Sequence, residues 1–222
     1  MNDCSFIAVG PMPATATARH TPRSQHAGDK RALILKAATK LFARRGFFNA
    51  QVADVAREAG IAAGTVYLYF RSKDDLLISI FERTMHEGLE AARQALVGVS
   101  DPVERLRRLA RVHLTRLGQD RDLAVVFQVE LRQSTKFMER CSSTLLQDYL
   151  HAIRDAVADA QTAGRFRREV NPTFAAKMLY GALDEMATNW ILSRRRYALA
   201  AQADKVVDLF VNGMTTCRKP GP

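Results

Sequence analysis

Apolar residues recur along this chain at helical spacing, most clearly between residues 51 and 73. A narrow stripe at positions i, i+3, i+4 and i+7 predicts a short amphipathic helix there: Val52, Val55, Ala56 and Ala59. Gly60 ends this helix, and a second short helix follows in which Val66 and Phe70 can pack back on the first. Two short helices joined by a tight glycine-containing turn predict a helix-turn-helix, whose second helix fits the major groove of DNA.

Helical patterns cover most of the remaining chain. The predicted segments are Asp29 to Arg45 with Asp29 as its N-cap, Ser72 to Gly98, a helix opening at Asp101 and Pro102, Leu123 to Leu131, Ser143 to Ala163, a helix opening at Asn171 and Pro172, and Leu199 to Thr216. The stretch from Leu123 to Leu131 is apolar nearly all round and fits a buried strand or a buried helix, but its helical neighbours favour a helix. We therefore predict an all-α protein with a disordered tail over residues 1–27, a three-helix domain over 28–74 and a helical bundle over 75–217.

The charge and the cysteines narrow the possible functions. A formal net charge of +10 favours an anionic partner, either nucleic acid or a phosphorylated ligand. Cys4, Cys141 and Cys217 show no metal-binding or disulfide spacing, so we expect no structural metal and no cofactor. The sequence shows no signal peptide and no apolar run of the roughly 18 to 20 residues that a membrane helix needs. We expect a cytoplasmic protein that has no membrane partner.

The second helix of the motif exposes residues suited to DNA. Hydroxyl and ammonium groups reach phosphate oxygens, and small residues let the backbone approach base edges and thymine methyls. The predicted contacts are Ala62, Ala63, Gly64, Thr65, Tyr67, Tyr69 and Lys73. The alternative interpretation is a helical hairpin whose tyrosines only cap a core.

These motifs closely resemble the N-terminal domain of TetR-family transcriptional regulators. The resemblance is carried by AxxLFARRGF (Ala38 to Phe47), VADVAREAG (Val52 to Gly60) and GTVYLYFRSKDDLL (Gly64 to Leu77). Where the family has a Thr or Ser that caps the first motif helix and binds a phosphate, this chain has Gln51. The resemblance implies a phosphate contact for Gln51, although glutamine is a poor cap.

The C-terminal part is similar to a narrower group, the FadR-type acyl-CoA-responsive repressors of fatty-acid degradation. The similar stretches are LAVVFQVELRQST (Leu123 to Thr135) and GALDEMATNWILSRRRYAL (Gly181 to Leu199). This resemblance implies a homodimer with a C-terminal ligand-binding and dimerisation bundle. Such a dimer binds a double-stranded, palindromic operator and leaves it when long-chain acyl-CoA, the effector, binds.

An acyl chain needs an apolar tunnel, and the CoA phosphates need cations. The residues proposed for the ligand site are Leu106, Ala110, His113, Phe127, Leu131, Arg132, Met178, Leu183, Asp184, Met186 and Trp190. Ordinary core packing is the alternative for each apolar member, because a tunnel and a core use the same side chains. We also expect Asp184 or Glu185 to face inward and to pair with Arg132, since a buried charge needs a partner.

Other classes of function make different predictions. A TetR-type regulator of drug efflux would sense another apolar or cationic molecule, and an architectural DNA binder would not need the large apolar C-terminal part. An enzyme acting on CoA thioesters is not expected, because the chain contains no GxSxG, GxGxxG or P-loop motif and no convincing Cys/His or carboxylate pair.

Overall fold

A computed structural model describes residues 22–131, 144–195 and 197–215, with side chains from residue 28 onward. The helices are α1 (Pro22–Arg45), α2 (Val52–Glu58), α3 (Ala63–Tyr67), α4 (Lys73–Leu96), α5 (Pro102–Gln119), α6 (Arg121–Val125), α7 (Thr144–Thr162), α8 (Pro172–Leu192) and α9 (Ala203–Met214). A π-helical turn, Val126–Glu130, continues α6, and a 3-10 turn, Leu199–Gln202, precedes α9. The all-α prediction is confirmed, because these residues form no β-strand apart from an isolated bridge between Phe166 and Thr215.

Three helices begin at the capping residues that the sequence predicts. Ser72 Oγ accepts a backbone N–H at 3.0 Å at the start of α4. Asp101 and Asn171 cap α5 and α8 in the same way, and each is followed by a proline at the first helical position. These starts are local events, since a cap needs only the residues around it.

The start of α1 differs from the prediction. The helix begins at Pro22, so the prediction that Asp29 is its N-cap is wrong, and residues 22–27 are helical instead of ending a disordered tail. Aspartate inside a helix costs only a few tenths of a kcal/mol relative to most polar residues, and therefore does not force a helix to start. The remainder of the predicted tail lies outside the described residues.

The N-terminal unit packs around the apolar residues of the motif. Val55, Val66 and Phe70 are buried, as predicted. Gly60 adopts φ +68° in the turn between α2 and α3, a conformation that glycine tolerates without strain. The same core also includes Leu76, Leu77, Ile80 and Phe81 of α4. The first two turns of α4 therefore belong to this unit, past the predicted boundary after residue 74.

The C-terminal unit is a bundle in which α5 packs against α4, α7, α8 and α9. Its buried residues include Leu106, Ala110 and Leu114 of α5, Ile153 of α7, Leu183 of α8 and Val207 of α9. Leu89 and Ala92, in the second half of α4, lie in the same core. Helix α4 thus runs unbroken from one unit into the other. No helix among the described residues has the length and hydropathy of a membrane span.

The stretch from Leu123 to Leu131 is helical, as its neighbours suggested, but it serves both units. Val126 and Leu131 are buried in the N-terminal core, whereas Phe127 packs against both cores. The structure therefore places Leu131, which the sequence assigns to the ligand site, in the N-terminal core. An apolar residue carries the same sequence signal whichever core receives it.

Candidate DNA-binding surface and ligand cavity

Five of the eight predicted DNA contacts are exposed on or beside the reading head, α2 to α3. Ala62, Ala63 and Gly64 are exposed at the start of α3, and the Tyr67 side chain is 57% exposed. Thr65 is half-buried. Tyr69 is half-buried too and packs against the N-terminal core, so less of its surface is available to DNA.

Gln51 occupies the N-cap position of α2, and its side chain makes no capping hydrogen bond. The residue is exposed and keeps its amide available for a partner outside the chain. Two further exposed residues between α3 and α4 escaped the sequence prediction: Leu68, at 81% exposure, and Arg71. In the sequence, the exposed Leu68 cannot be told from the buried Val66, because both are apolar residues of the same short helical stretch.

Lys73 has a structural role that differs from the predicted phosphate contact. Its Nζ donates to the carbonyl oxygens of Phe47, Phe48 and Ala50, at 2.8, 3.1 and 2.9 Å. The ammonium also lies 4.6 Å from the centre of the Phe47 ring. An ammonium has three protons, and all of them are used here. Lys73 therefore fastens the α1–α2 loop to the start of α4.

Several cations near the reading head are already paired. Lys40 and Arg44 of α1 both bind Glu58 of α2, at 2.7 and 2.6 Å. Their hydrogen bonds lower the pKa of Glu58, which keeps this carboxylate charged. The net positive charge of the chain therefore overstates the number of cations that are available to DNA phosphates.

A small cavity lies in the C-terminal unit between α4, α5, α7 and α8. Its volume is about 70 Å³, and it is lined by Thr84, Met85, Gly88, Val112, His113, Arg116, Leu117, Phe127, Tyr149 and Tyr180. Two predicted ligand residues, His113 and Phe127, are among them. The walls are mostly apolar or aromatic, which suits an apolar ligand.

His113 is held among aromatic rings. Its ring centre lies 5.6 Å from that of Tyr149 and 5.9 Å from that of Tyr180. Burial lowers the pKa of His113, and the nearby charge of Asp184 opposes that shift only partly. The imidazole is therefore neutral near pH 7. Its Nε2 is buried without a hydrogen-bond partner.

Similarity to known proteins covers both units. Residues 34–80 match the model of bacterial regulatory proteins of the tetR family, and residues 81–213 match the model of the YsiA-like protein C-terminal region. The chain belongs to the TetR family. It is thus a helix-turn-helix DNA-binding regulator, as the reading head suggests.

Individual relatives of this TetR-family protein include regulators of fatty-acid metabolism. The fatty acid metabolism regulator protein of Bacillus subtilis is 32% identical over 82% of this chain and 93% of its own. The fatty acid degradation regulator FadR from Bacillus halodurans has 34% sequence identity to this chain. Its structure superposes with a TM-score of 0.76 and covers 82% of this chain and 98% of that one. FadR from Bacillus subtilis in complex with stearoyl-CoA is 31% identical, with a TM-score of 0.77 and the same coverage.

In the structure, the other predicted ligand residues lie away from the cavity. Leu106, Ala110 and Leu183 are core residues, which is the alternative that the sequence left open. Met186 is half-buried and packs on the same core, and Met178 is 56% exposed. Trp190 lies in a separate surface groove of about 420 Å³, with Arg121, Arg194 and Arg195. Helical periodicity predicts that a side chain is buried, but not whether it faces a core, a cavity or another subunit.

The two adjacent carboxylates of α8 have different environments. Asp184 Oδ1 accepts a hydrogen bond from Gln128 Nε2 at 2.6 Å, and Thr188 donates to Gln128 at 3.1 Å. Glu185 is exposed and binds Asn189. Asp184 is therefore the carboxylate that faces inward. The predicted partner, Arg132, lies outside the described residues.

Glu130 reaches from the C-terminal unit to the loop before α2. Its side chain is buried, and Oε2 accepts the backbone N–H of Phe47 at 2.6 Å. Nothing in the sequence indicates this partner, which lies 83 residues away.

Proposed function

We propose that this TetR-family protein represses genes of fatty-acid degradation and leaves its operator when a long-chain acyl-CoA binds in the cavity. Two observations support the choice of effector. The cavity walls are mostly apolar, and a relative of 31% identity was solved with stearoyl-CoA. Repression would take place in the cytoplasm, on a double-stranded operator.

The observation that carries the proposal is the π-helical turn Val126–Glu130. At one end of the turn, Phe127 lines the cavity and stacks on Phe81 of α4, with ring centres 5.6 Å apart. At the other end, Glu130 holds the backbone of Phe47 in the loop before α2. A ligand that displaces Phe127 therefore pulls on α4 and on the loop that positions the reading head.

The size of the cavity explains why binding would change the structure. Liquid water takes about 30 Å³ per molecule, so the 70 Å³ cavity has the volume of two or three water molecules. A long acyl chain, with its many methylene groups, is far larger. The chain can enter only if Phe127 and the aromatic walls move. Burial of each methylene contributes about 0.8 kcal/mol, whereas a tenfold loss of operator affinity needs only about 1.4 kcal/mol of differential binding.

An unpaired apolar surface supports the homodimer. Phe174, Met178 and Leu192 of α8 and Leu209 of α9 are each more than half exposed. A second copy that covers these residues would form a four-helix interface. It would also place two reading heads about 34 Å apart, in successive major grooves of a palindromic operator.

Thermal unfolding with palmitoyl-CoA, free CoA, palmitate and a panel of drugs tests the effector. We expect palmitoyl-CoA to raise the unfolding temperature, to release operator DNA and to be recovered without hydrolysis. A response to a drug but not to palmitoyl-CoA would favour the alternative, a regulator of drug efflux. Appearance of free CoA would indicate an enzyme.

The Phe127→Leu variant tests the route of the signal. It should bind the operator normally and bind the effector at least as tightly, because a smaller side chain leaves more room in the cavity. Saturating effector should nevertheless release several-fold less operator DNA, because leucine cannot stack on Phe81. The matched control is Phe166→Leu, which removes the ring contact with Phe210 in the C-terminal core but outside the cavity. Equal release curves for both variants would argue against the π-helical turn as the link.

A further inference from the structure

One charged side chain interrupts the apolar wall of the cavity. Arg116 of α5 lines the cavity together with Gly88 of α4, and its side chain is 30% exposed. Arg116 Nε lies 3.8 Å from the point where a Cβ on Gly88 would sit. The charged group therefore marks the side on which the cavity meets solvent, between α4 and α5. We call this side the mouth.

Two guanidinium groups share one carboxylate beside the mouth. Arg116 Nη2 binds Glu87 Oε2 at 2.8 Å, while Arg83 Nε lies 3.8 Å from Glu87 Oε1. That second distance is too long for a hydrogen bond, and Arg83 Nε is buried without a partner. The three side chains together carry a net positive charge and an unused donor.

Other arginines of α5 each have a carboxylate partner of their own. Arg105 pairs with Asp159, Arg107 with Asp208, and Arg111 with Asp204. These pairs bridge α5 to α7 and α9, away from the residues that line the cavity. The excess of cations over carboxylates at the mouth is therefore a local feature and does not extend along the whole basic face of α5.

We propose that Arg116 and Arg83 receive the anionic head of the effector while its apolar part occupies the cavity. This inference rests on the proposed function, and it assigns the subsite for the head. A phosphate or a carboxylate accepts paired N–H donors from arginine. The bound anion takes the place of Glu87 on Arg116, and Arg83 contributes its positive charge beside it. The phosphates of a CoA thioester and the carboxylate of a free fatty acid share this chemistry.

The test uses the full-length protein and titration calorimetry with palmitoyl-CoA, palmitate and free CoA. Arg116→Gln should weaken palmitoyl-CoA binding about tenfold or more, because a hydrogen-bonded charge is lost. Glu87→Gln should tighten it several-fold, because the competing carboxylate is removed. Arg111→Gln, on the same helix but paired with Asp204, is the matched control and should bind as the wild type does.

The opposite signs for Arg116→Gln and Glu87→Gln distinguish an anion subsite from a structural ion pair. If the pair is only structural, its loss should change the palmitoyl-CoA affinity of both variants in the same direction. That result would overturn the subsite but leave the proposed function standing. Wild-type affinity in both variants would have the same consequence. Wild-type protein that binds neither palmitoyl-CoA nor palmitate would overturn the function and the subsite together. Palmitate binding that depends on Arg116 would identify a carboxylate as the head.

Discussion

Glu130 accepts the backbone N–H of Phe47 at 2.6 Å and so joins the C-terminal unit to the loop that precedes the helix-turn-helix. Lys73 holds the carbonyl oxygen of the same residue at 2.8 Å. The peptide groups of Phe47 are therefore fixed from both sides, by a carboxylate of the C-terminal unit and by the first residue of α4. This arrangement makes the loop a joint between the two units.

Removal of the carboxylate should loosen this joint. We expect Glu130→Ala to lower the free energy of unfolding by about 1–3 kcal/mol, since a buried N–H loses its partner. Operator affinity should fall several-fold because the α1–α2 loop is no longer fixed. Urea unfolding and fluorescence anisotropy measure the two effects. Glu82→Ala, at an exposed position of α4, is the control. Wild-type operator affinity in a folded Glu130→Ala protein would contradict the role of the joint.

The role of Lys73 can be separated from a phosphate contact by its salt dependence. Lys73→Met should destabilise the fold by about 1–3 kcal/mol, because three backbone carbonyl groups lose a charged donor. The slope of log affinity against log salt concentration should stay unchanged. If Lys73 instead bound a DNA phosphate, the slope would fall by about one.

Replacement of Tyr67, in contrast to that of Lys73, should affect operator binding and leave the stability of the fold nearly unchanged. Its side chain is 57% exposed, so we expect Tyr67→Phe to change the free energy of unfolding by less than about 0.5 kcal/mol. Loss of the hydroxyl should reduce operator affinity up to about tenfold, the value of one hydrogen bond. Tyr197→Phe, which changes an exposed tyrosine of the C-terminal unit, should leave affinity unchanged. Equal affinities for both variants would remove Tyr67 from the contact surface.

His113 should make stability depend on pH. Its pKa is lowered in the folded protein, mainly by burial, so below about pH 6.5 the unfolded chain binds a proton that the folded protein does not. The free energy of unfolding should therefore fall as the pH is lowered from 7 to 5. His113→Leu should flatten this part of the profile in urea unfolding. His151→Leu, at an exposed position, should keep the wild-type slope, and the same slope in both variants would contradict the assignment.

The dimer can be tested at one exposed leucine. Leu209 of α9 is 77% exposed, and Leu209→Glu should place a charge in the proposed interface. We expect a monomer in sedimentation experiments, together with loss of tight operator binding. Val97→Glu, at a position that is 71% exposed outside that interface, is the control and should remain a dimer. A dimeric Leu209→Glu protein would place the interface elsewhere.

The sequence predicted those parts of the fold that depend on neighbouring residues. Ser72, Asp101 and Asn171 start helices because a cap and the N–H groups that it binds lie within three residues of each other. The apolar stripe of the helix-turn-helix is local in the same sense. These features need no knowledge of the rest of the chain.

Long-range relationships could not be predicted in this way. Leu131 and Leu106 both appear as buried apolar residues, yet they lie in different cores. The contact between Glu130 and Phe47 joins residues far apart in the chain. Lys73 has the same sequence signal whether it meets a phosphate or three backbone carbonyls. In each case the partner is chosen by tertiary packing, which periodicity does not describe.

The joint between Glu130 and Phe47 also has a consequence for dose response in the cell. Coupling free energies between two binding sites are reciprocal, so the factor by which the effector lowers operator affinity is the factor by which the operator lowers effector affinity. A dimer seated on a promoter would therefore be a poorer sensor than a dimer free of DNA. If the protein is the repressor proposed above, the number of operators competing for it would then help to set the effector concentration at which its genes are switched on.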